Sequence, residues 1–462
     1  MHFPRIVIGA LRGGSGKTLV SIGISALLRE MGYSLAVFKK GPDFIDPSWL
    51  SLASGEICYN LDQFLMPEEE ILSSFIKASS GKDISIIEGN RGIYDGMNVE
   101  GSYSTSELSK LLKAPVVLIL DVTMSTRTVA AILKGCQVFD EKLRIEGVIL
   151  NRVSGARQES LIRECIRNYC NVPVVGSIPK LKENLLKERH MGLVPYQERD
   201  EAEKIIDWAK EIVKKHLDLN EMLKIAKNVE PIEIPIKEKE DRAKKDIKIG
   251  YFLDKAFWFY YPENLEAIKK EGVELIRIDS LKDKSLPEID GLYIGGGFPE
   301  TQAEALSDNS SLRNELRERM EEGLPVYAEC GGLMYLGRSL IIEGREYPMV
   351  GFFPISFFLE KRPQGHGYTI VEVIESNPFF KKGEIIRGHE FHYSRPVLED
   401  DSRFAFKALR GNGIFRKMDG IFKKNSLATY THIHARGNKE WAKAFVRSVR
   451  LSKEKKVCSI HM

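Results

Sequence analysis

Residues 12–18 read RGGSGKT and stand between an apolar run, Arg5–Gly9, and a stretch of helical periodicity, Leu19–Met31. A strand, a glycine-rich turn and a helix in that order form the context of a P-loop, and they commit the first half of the chain to an α/β fold with a parallel sheet. Gly13, Gly14 and Gly16 let the backbone turn tightly enough for successive N–H groups to face a phosphate. The helix N-terminus behind them adds partial positive charge. Lys17 is then placed to reach the β and γ phosphates of ATP, the Thr18 hydroxyl to hold Mg²⁺, and Ser15 to complete the loop. The first glycine of the common pattern falls on Leu11, so this is a variant loop.

The alternation continues down the chain. Strand-like runs at Leu35–Phe38, Ile84–Glu88, Val116–Asp121, Gly147–Asn151 and Val174–Ile178 are separated by helical periods that include Ser106–Leu112, Thr126–Val138 and Arg157–Asn168. A last amphipathic stretch, Glu201–Lys227, closes the unit. A chain of 462 residues is too long for one ordinary core. Between 229 and 246 periodicity gives way to VEPIEIPIKEKEDRAKKD, the composition of a solvated linker. The expected organisation is a domain at 1–228, a linker at 229–246 and a second domain at 247–450. That second domain restarts the α/β pattern with a strand at Ile247–Phe252, a helix at Glu263–Glu271, and strands at Glu274–Arg277 and Gly291–Ile294.

Two acidic clusters follow the phosphate loop. GPDFIDP carries Asp43 and Asp46, and IIEGNRGIYDG carries Glu88 and Asp95. Ligands of open α/β sheets collect at the carboxyl ends of strands, which puts Glu88 near Lys17 and makes it a second candidate contact for Mg²⁺. Asp43 and Asp46 stand beside Pro42 and Pro47, where acids also serve simple turns. Asn151 ends a strand, where its amide either reads a nucleotide base or caps a loop.

In the second half, YAECGGLM at 327–334 has the form of a nucleophile elbow: a strand, then Cys330, then glycines opening a helix. Such a turn exposes the thiol and leaves N–H groups free to bind an oxyanion. The GGGFPE turn at 295–300 supplies further donors, so the candidate oxyanion set is Gly296, Gly297 and Gly331. A base is offered by His432 or His434 in ATYTHIHA; on a strand both share one face, and only distance from Cys330 separates them. His389 and His392 in RGHEFHYS are further candidates. The six cysteines, at 58, 136, 165, 170, 330 and 458, show no C-x-x-C spacing, so neither zinc nor a disulfide framework is indicated.

These motifs, in order RGGSGKT, FKKGPDFIDP, NLDQF, IIEGNRGIYDG, ILNRV, ERHMGLVP, AFWFYYPENLE, GGGFPE, YAECGGLMYL, GHEFHYS and the THIHA tail, resemble the cobyrinate a,c-diamide synthases over nearly the entire chain. The resemblance implies a dethiobiotin-synthetase-like P-loop domain followed by a class I glutamine amidotransferase-like domain. It implies that Cys330, with His432 matching the family's Tyr-x-His pattern, releases ammonia from glutamine. Many class I domains carry a glutamate two residues after that histidine; this subclass lacks it, and here the position is His434. The first domain would use Mg-ATP to convert the a and c acetate side chains of cobyrinic acid, in cobalamin biosynthesis, to acyl phosphates. Asp43, Asp46 and Asp95 would then activate or place the carboxylate, Asn151 would lie near the adenine, and Arg189 and His190 would face the corrin. Arg12, the NRG after Gly89 and Lys187 depart from commoner family residues, and relatives act on nickel-sirohydrochlorin or sirohaem, so the same chemistry on another tetrapyrrole is the alternative.

A reading from another class is a nucleotide-switched P-loop ATPase with Arg12 acting across a dimer, but it leaves Cys330 and everything after residue 245 without a purpose. Sixty-eight basic and 65 acidic side chains leave a net charge of +3, which calls for neither nucleic acid nor an anionic membrane. The expected partners are small molecules: tetrapyrrole, glutamine and ATP. With no apolar run of membrane-spanning length and no signal-peptide pattern at the start, a cytoplasmic location is expected. The sequence leaves a homodimer open.

Overall fold

Strand β1 (Arg5–Ala10) is buried along its entire length, as an apolar strand must be when both faces of a parallel sheet are covered. It lies in the middle of a seven-stranded sheet with β2 (Leu35–Lys40), β3 (Cys58–Leu61), β4 (Ile84–Glu88), β5 (Val116–Asp121), β6 (Ile145–Val153) and β7 (Val174–Pro179), ordered β3-β2-β4-β1-β5-β6-β7. Every pairing is parallel. This computed structural model describes residues 1–189, 192–233, 246–399 and 402–460, without the side chains of 188, 189, 192 and 456–460. Most of the linker expected at 229–246, together with His190 and the side chains of Arg189 and Cys458, lies outside the described residues. By contact the chain forms two units, Met1–Gln63 with Pro67–Lys237 and Phe64–Met66 with Glu238–Met462.

In the first unit, register sets up the chemistry. Lys39 of β2 and Ile8 of β1 both pair with Glu88, the last residue of β4, so a cation and a carboxylate meet at the carboxyl edge. Helix α1 (Lys17–Glu30) follows the glycine-rich turn directly. At the opposite edge the fully buried Arg5 donates to the carbonyls of Phe3, Leu112, Lys113 and Glu230 at 2.6–3.2 Å. One guanidinium thus satisfies four backbone acceptors from segments far apart in sequence.

The amphipathic stretch expected over Glu201–Lys227 is two helices, Ala202–His216 and Leu219–Lys227. Leu217 leaves the first to bridge Gly176, and the Asp218 carboxylate accepts from the Glu221 N–H at 3.0 Å to begin the second. This is a side-chain cap that overrides an otherwise continuous period.

The second unit is α/β only in part. Its ten-stranded sheet begins with five parallel neighbours, Val273–Ile278, Ile247–Phe252, Gly291–Ile294, Val326–Glu329 and Ser426–Thr429. It continues antiparallel through Met418–Lys423, Phe404–Arg410, Gly365–Val373, Ile385–His392 and His432–Ile433. The helix beginning at Lys439 packs Trp441, Phe445 and Val449 with Tyr293 and Tyr327 in one apolar cluster; Leu333, Leu336 and Tyr335 belong to another. Among the described residues no helix is long and apolar enough to cross a membrane, and Cys58, Cys136, Cys165, Cys170 and Cys330 are free and buried.

Candidate active sites

The phosphate loop owes its shape to glycine at one position above all. Gly16 takes φ 99° at the start of α1, and a Cβ there would lie 2.6 Å from the Asn151 amide nitrogen. A Cβ on Gly13 or Gly14 would meet nothing within 4 Å, so the loop opens onto space that a ligand can fill. Ser15 is buried. The Asn151 amide donates to the Ser15 carbonyl at 2.8 Å and accepts from Arg152 N–H at 2.9 Å, which makes it a strut beneath the loop. The Lys17 ammonium donates to the Arg12 and Arg91 carbonyls at 3.2 and 2.8 Å, and burial, with Lys39 nearby, lowers its pKa to about 8. Arg12 and Arg152 both grip Asp121, at 3.0 and 2.6 Å, and Arg152 also donates to Gly14 O.

Beside this loop lies a group whose centre the sequence reading passed over. Lys39, quoted there only within FKKGPDFIDP, is 2.6 Å from Asp46 Oδ2, 2.8 Å from Glu88 Oε1 and 4.0 Å from Asp43 Oδ2, with its side chain 2% exposed. Burial opposes its charge, but the three carboxylates outweigh that and hold the ammonium protonated. Burial and the charge of Asp46 push Asp43 up; Asp46, against the same burial, is drawn down by Lys39; burial pushes Glu88 up. Asp43 Oδ1 also accepts from Ile45 and Asp46 N–H, opening the helix Ile45–Ser54. Asp95 is exposed, and its Oδ2 accepts from Gly92 N–H at 2.9 Å, holding the turn after β4.

Magnesium fits here. Thr18 Oγ1 donates to Glu88 Oε1 at 2.8 Å, while Glu88 Oε2 is buried without a hydrogen-bond partner. A carboxylate oxygen left bare beside a P-loop hydroxyl is what a divalent cation would satisfy. Among the described residues no group of three histidines, cysteines or acids could hold a metal ion by itself.

In the second unit Cys330 adopts φ 46° and ψ −99° between the strand Val326–Glu329 and the helix Gly331–Leu336. A non-glycine residue held there is strained, and Cys330 N–H donating to Thr429 O at 2.7 Å helps to hold it. Its Sγ lies 3.9 Å from Phe391 O. Burial, then the charge of Glu300, pushes the thiol pKa well up. The sulfur therefore rests protonated and needs a base to become a nucleophile.

The glycine turn lies against both the elbow and one of the candidate histidines. A Cβ on Gly331 would lie 3.0 Å from Gly297 N, and one on Gly296 would lie 2.5 Å from His432 Cε1 and 3.2 Å from its Nε2. Gly331, next to Cys330, thus meets Gly297, and the neighbouring Gly296 meets the His432 ring. The strand is only His432–Ile433, and the chain turns beyond it, with Gly437 and Asn438 N–H donating to His434 O. The His434 ring packs on Tyr261 and faces Glu263 at 3.5 Å. His389 stacks on His432 with ring centroids 4.9 Å apart, and burial holds it neutral. His392 stacks on Tyr430 and is lowered to about 4 by burial.

Asp419, also absent from the sequence reading, is fully buried and accepts from Thr429 Oγ1, Tyr430 N–H and both groups of Thr431 at 2.7–3.2 Å. It braces the three residues before His432. Nothing beside Asp419 in KMDGIF marks it, because its partners lie ten to twelve residues further along the chain.

Comparison with known proteins agrees with this two-site arrangement. Residues 6–194 match the family described as CobQ/CobB/MinD/ParA nucleotide binding domain, and residues 248–440 match the CobB/CobQ-like glutamine amidotransferase domain. The chain is 44% identical over 449 residues to a cobyrinate a,c-diamide synthase of Archaeoglobus fulgidus, covering 97% of this chain and 98% of that protein. It is 41% identical to one from Magnetococcus marinus over 96% of this chain and 97% of the relative, and 40% identical to one from Listeria innocua over 93% and 96%.

Proposed function

The chain belongs to the cobyrinate a,c-diamide synthase family, and from that premise we propose the residues by which it performs ATP- and glutamine-dependent amidation of cobyrinic acid. His432 Nε2 takes the Cys330 proton as the sulfur attacks the glutamine side-chain amide. Backbone N–H groups at Gly297 and Gly331 receive the oxyanion, and the protonated imidazole returns its proton to the departing ammonia. Water then releases glutamate from the thioester.

In the P-loop unit the a or c acetate carboxylate attacks the γ phosphorus of ATP, giving an acyl phosphate and ADP. Ammonia displaces phosphate from that acyl group, because phosphate leaves where hydroxide would not. Gly13, Gly14, Ser15 and Gly16 cradle the phosphates, and Asn151 supports the loop. Lys17 and Lys39 neutralise charge that builds on the transferring group. Asp43, Asp46 and Asp95 place the carboxylate or hold the lysines. Thr18 and Glu88 would hold Mg²⁺, which when bound draws charge from the β and γ phosphate oxygens.

The observation that carries this reading is the pairing, in one chain, of a strained Cys330 elbow and His432, both against the Gly296–Gly297 turn, with a P-loop beside a buried lysine and three carboxylates. The test is Cys330→Ser assayed with Mg-ATP and cobyrinic acid, by mass spectrometry of the amidated product. Glutamine-driven amidation should be lost while amidation with high ammonia persists. Glutamine use by the variant would remove Cys330 from the reaction, and wild-type inactivity on cobyrinic acid beside activity on nickel-sirohydrochlorin or sirohaem would move the substrate.

A further inference from the structure

The position two residues after the base, where many class I domains carry an orienting glutamate, is His434 here, and that side chain faces Glu263. The imidazole of His432 nevertheless meets a carboxylate. Glu329, the last residue of the strand that delivers the nucleophile, has Oε2 3.3 Å from His432 Nδ1. We propose that Glu329, immediately before Cys330, is the positioning residue of the glutaminase site, replacing the missing acid from the nucleophile's own strand.

The geometry of the carboxylate supports this. Glu329 is 1% exposed and surrounded by donors: Tyr293 OH and His432 Nδ1 at Oε2, Tyr327 OH and Ile433 N–H at Oε1, all at 3.2–3.3 Å. An ionised carboxylate only accepts, and its two oxygens have about four lone-pair directions, so the set is filled. Nδ1 must then carry the hydrogen, which leaves the lone pair on Nε2, the nitrogen that faces Gly296 beside Cys330. Glu329 also receives the backbone N–H of Ile433, so it anchors the histidine by ring and by main chain. The buried charge further favours the imidazolium that forms when the thiol gives up its proton. The ring also packs against those of His389 and Phe259.

This inference rests on Cys330 and His432 being nucleophile and base, and its test keeps the two separable. Glu329→Gln removes the charge and offers the imidazole an N–H, which turns His432 to the Nε2–H tautomer. The expected result is a fall in glutaminase kcat of about a hundredfold or more, with KM for glutamine within about threefold and ammonia-driven amidation unchanged. In protein labelled with ¹⁵N-histidine, the His432 signal should move from the Nδ1–H to the Nε2–H pattern. Glu329→Asp, which keeps the charge, should exceed a folded Gln variant at least tenfold; if the Gln variant loses ammonia-driven activity through misfolding, the Asp variant carries the test against wild type, with the Nδ1–H pattern of His432 kept. Wild-type kcat with an unchanged tautomer in Glu329→Gln, or equal activity of the Asp and Gln variants, overturns the proposal. Glutaminase activity surviving in Cys330→Ser overturns the nucleophile instead.

Discussion

Replacing Lys39 by Met would leave Asp43, Asp46 and Glu88 around a site with no cation of its own. At an effective dielectric of about 20, unit charges 2.6–2.8 Å apart interact by about 6 kcal/mol per contact. Burying the ammonium, which is almost fully covered, offsets much of that, and removing one partner of a buried pair has a net cost of about 3–5 kcal/mol. The sign with pH follows from the shifts. Lys39 is raised, so its contribution is complete below its unfolded value near 10.5 and lost only above it. Asp46 is lowered, so its contribution is present above its unfolded value of 3.8 and lost in stronger acid. Asp43 and Glu88 are already raised, and without the ammonium all three acids move up. The folded variant then holds protons that the unfolded chain releases, at a cost of about 1.4 kcal/mol per pH unit for each such carboxyl. The deficit against wild type should be about 3–5 kcal/mol at pH 8 and narrow by about 2–3 kcal/mol at pH 5. Native-state hydrogen exchange of peptides covering β2 and β4, compared with wild type at each pH, measures it without requiring two-state unfolding of the full chain. A deficit that is absent, or the same at both pH values, would refute the account of the cluster.

Two further substitutions probe features of the individual units. Gly296→Ala would put a methyl 2.5 Å from His432 Cε1 and displace the ring, so glutamine-driven turnover should fall by about a hundredfold while ammonia-driven turnover persists; an unaffected glutaminase would show that the ring tolerates displacement. Arg5→Met strips the donors from four backbone carbonyls and should cost the first unit about 2–4 kcal/mol, read by urea denaturation; a variant as stable as wild type would show that those carbonyls find other partners.

Contiguous features were legible from sequence. The phosphate loop and the cysteine elbow are each a strand, a tight turn and a helix written in consecutive residues, and local backbone sterics are enough to specify them. The buried strands β4 and β5 match the expected bounds, since an unbroken apolar run has one destination. The antiparallel strands after Leu359 were not anticipated. They alternate buried with partly exposed residues instead of running unbroken and apolar, so their identity comes from neighbours distant in sequence.

The sites divide in the same way. Residue order alone marked Lys17, Thr18, Glu88, Cys330 and a choice of histidines, because each stands at the end of a strand or within a glycine turn. Tertiary structure showed what each candidate touches, His432 meeting Glu329 and His434 facing Glu263, and it brought Lys39 and Asp419 into view. Lys39 meets Glu88 across 49 residues, and Glu329 meets His432 across 103. A charge buried at such a distance is stable only where folding supplies its counterpart, so its role is decided by the packed neighbour and not by the adjoining residues.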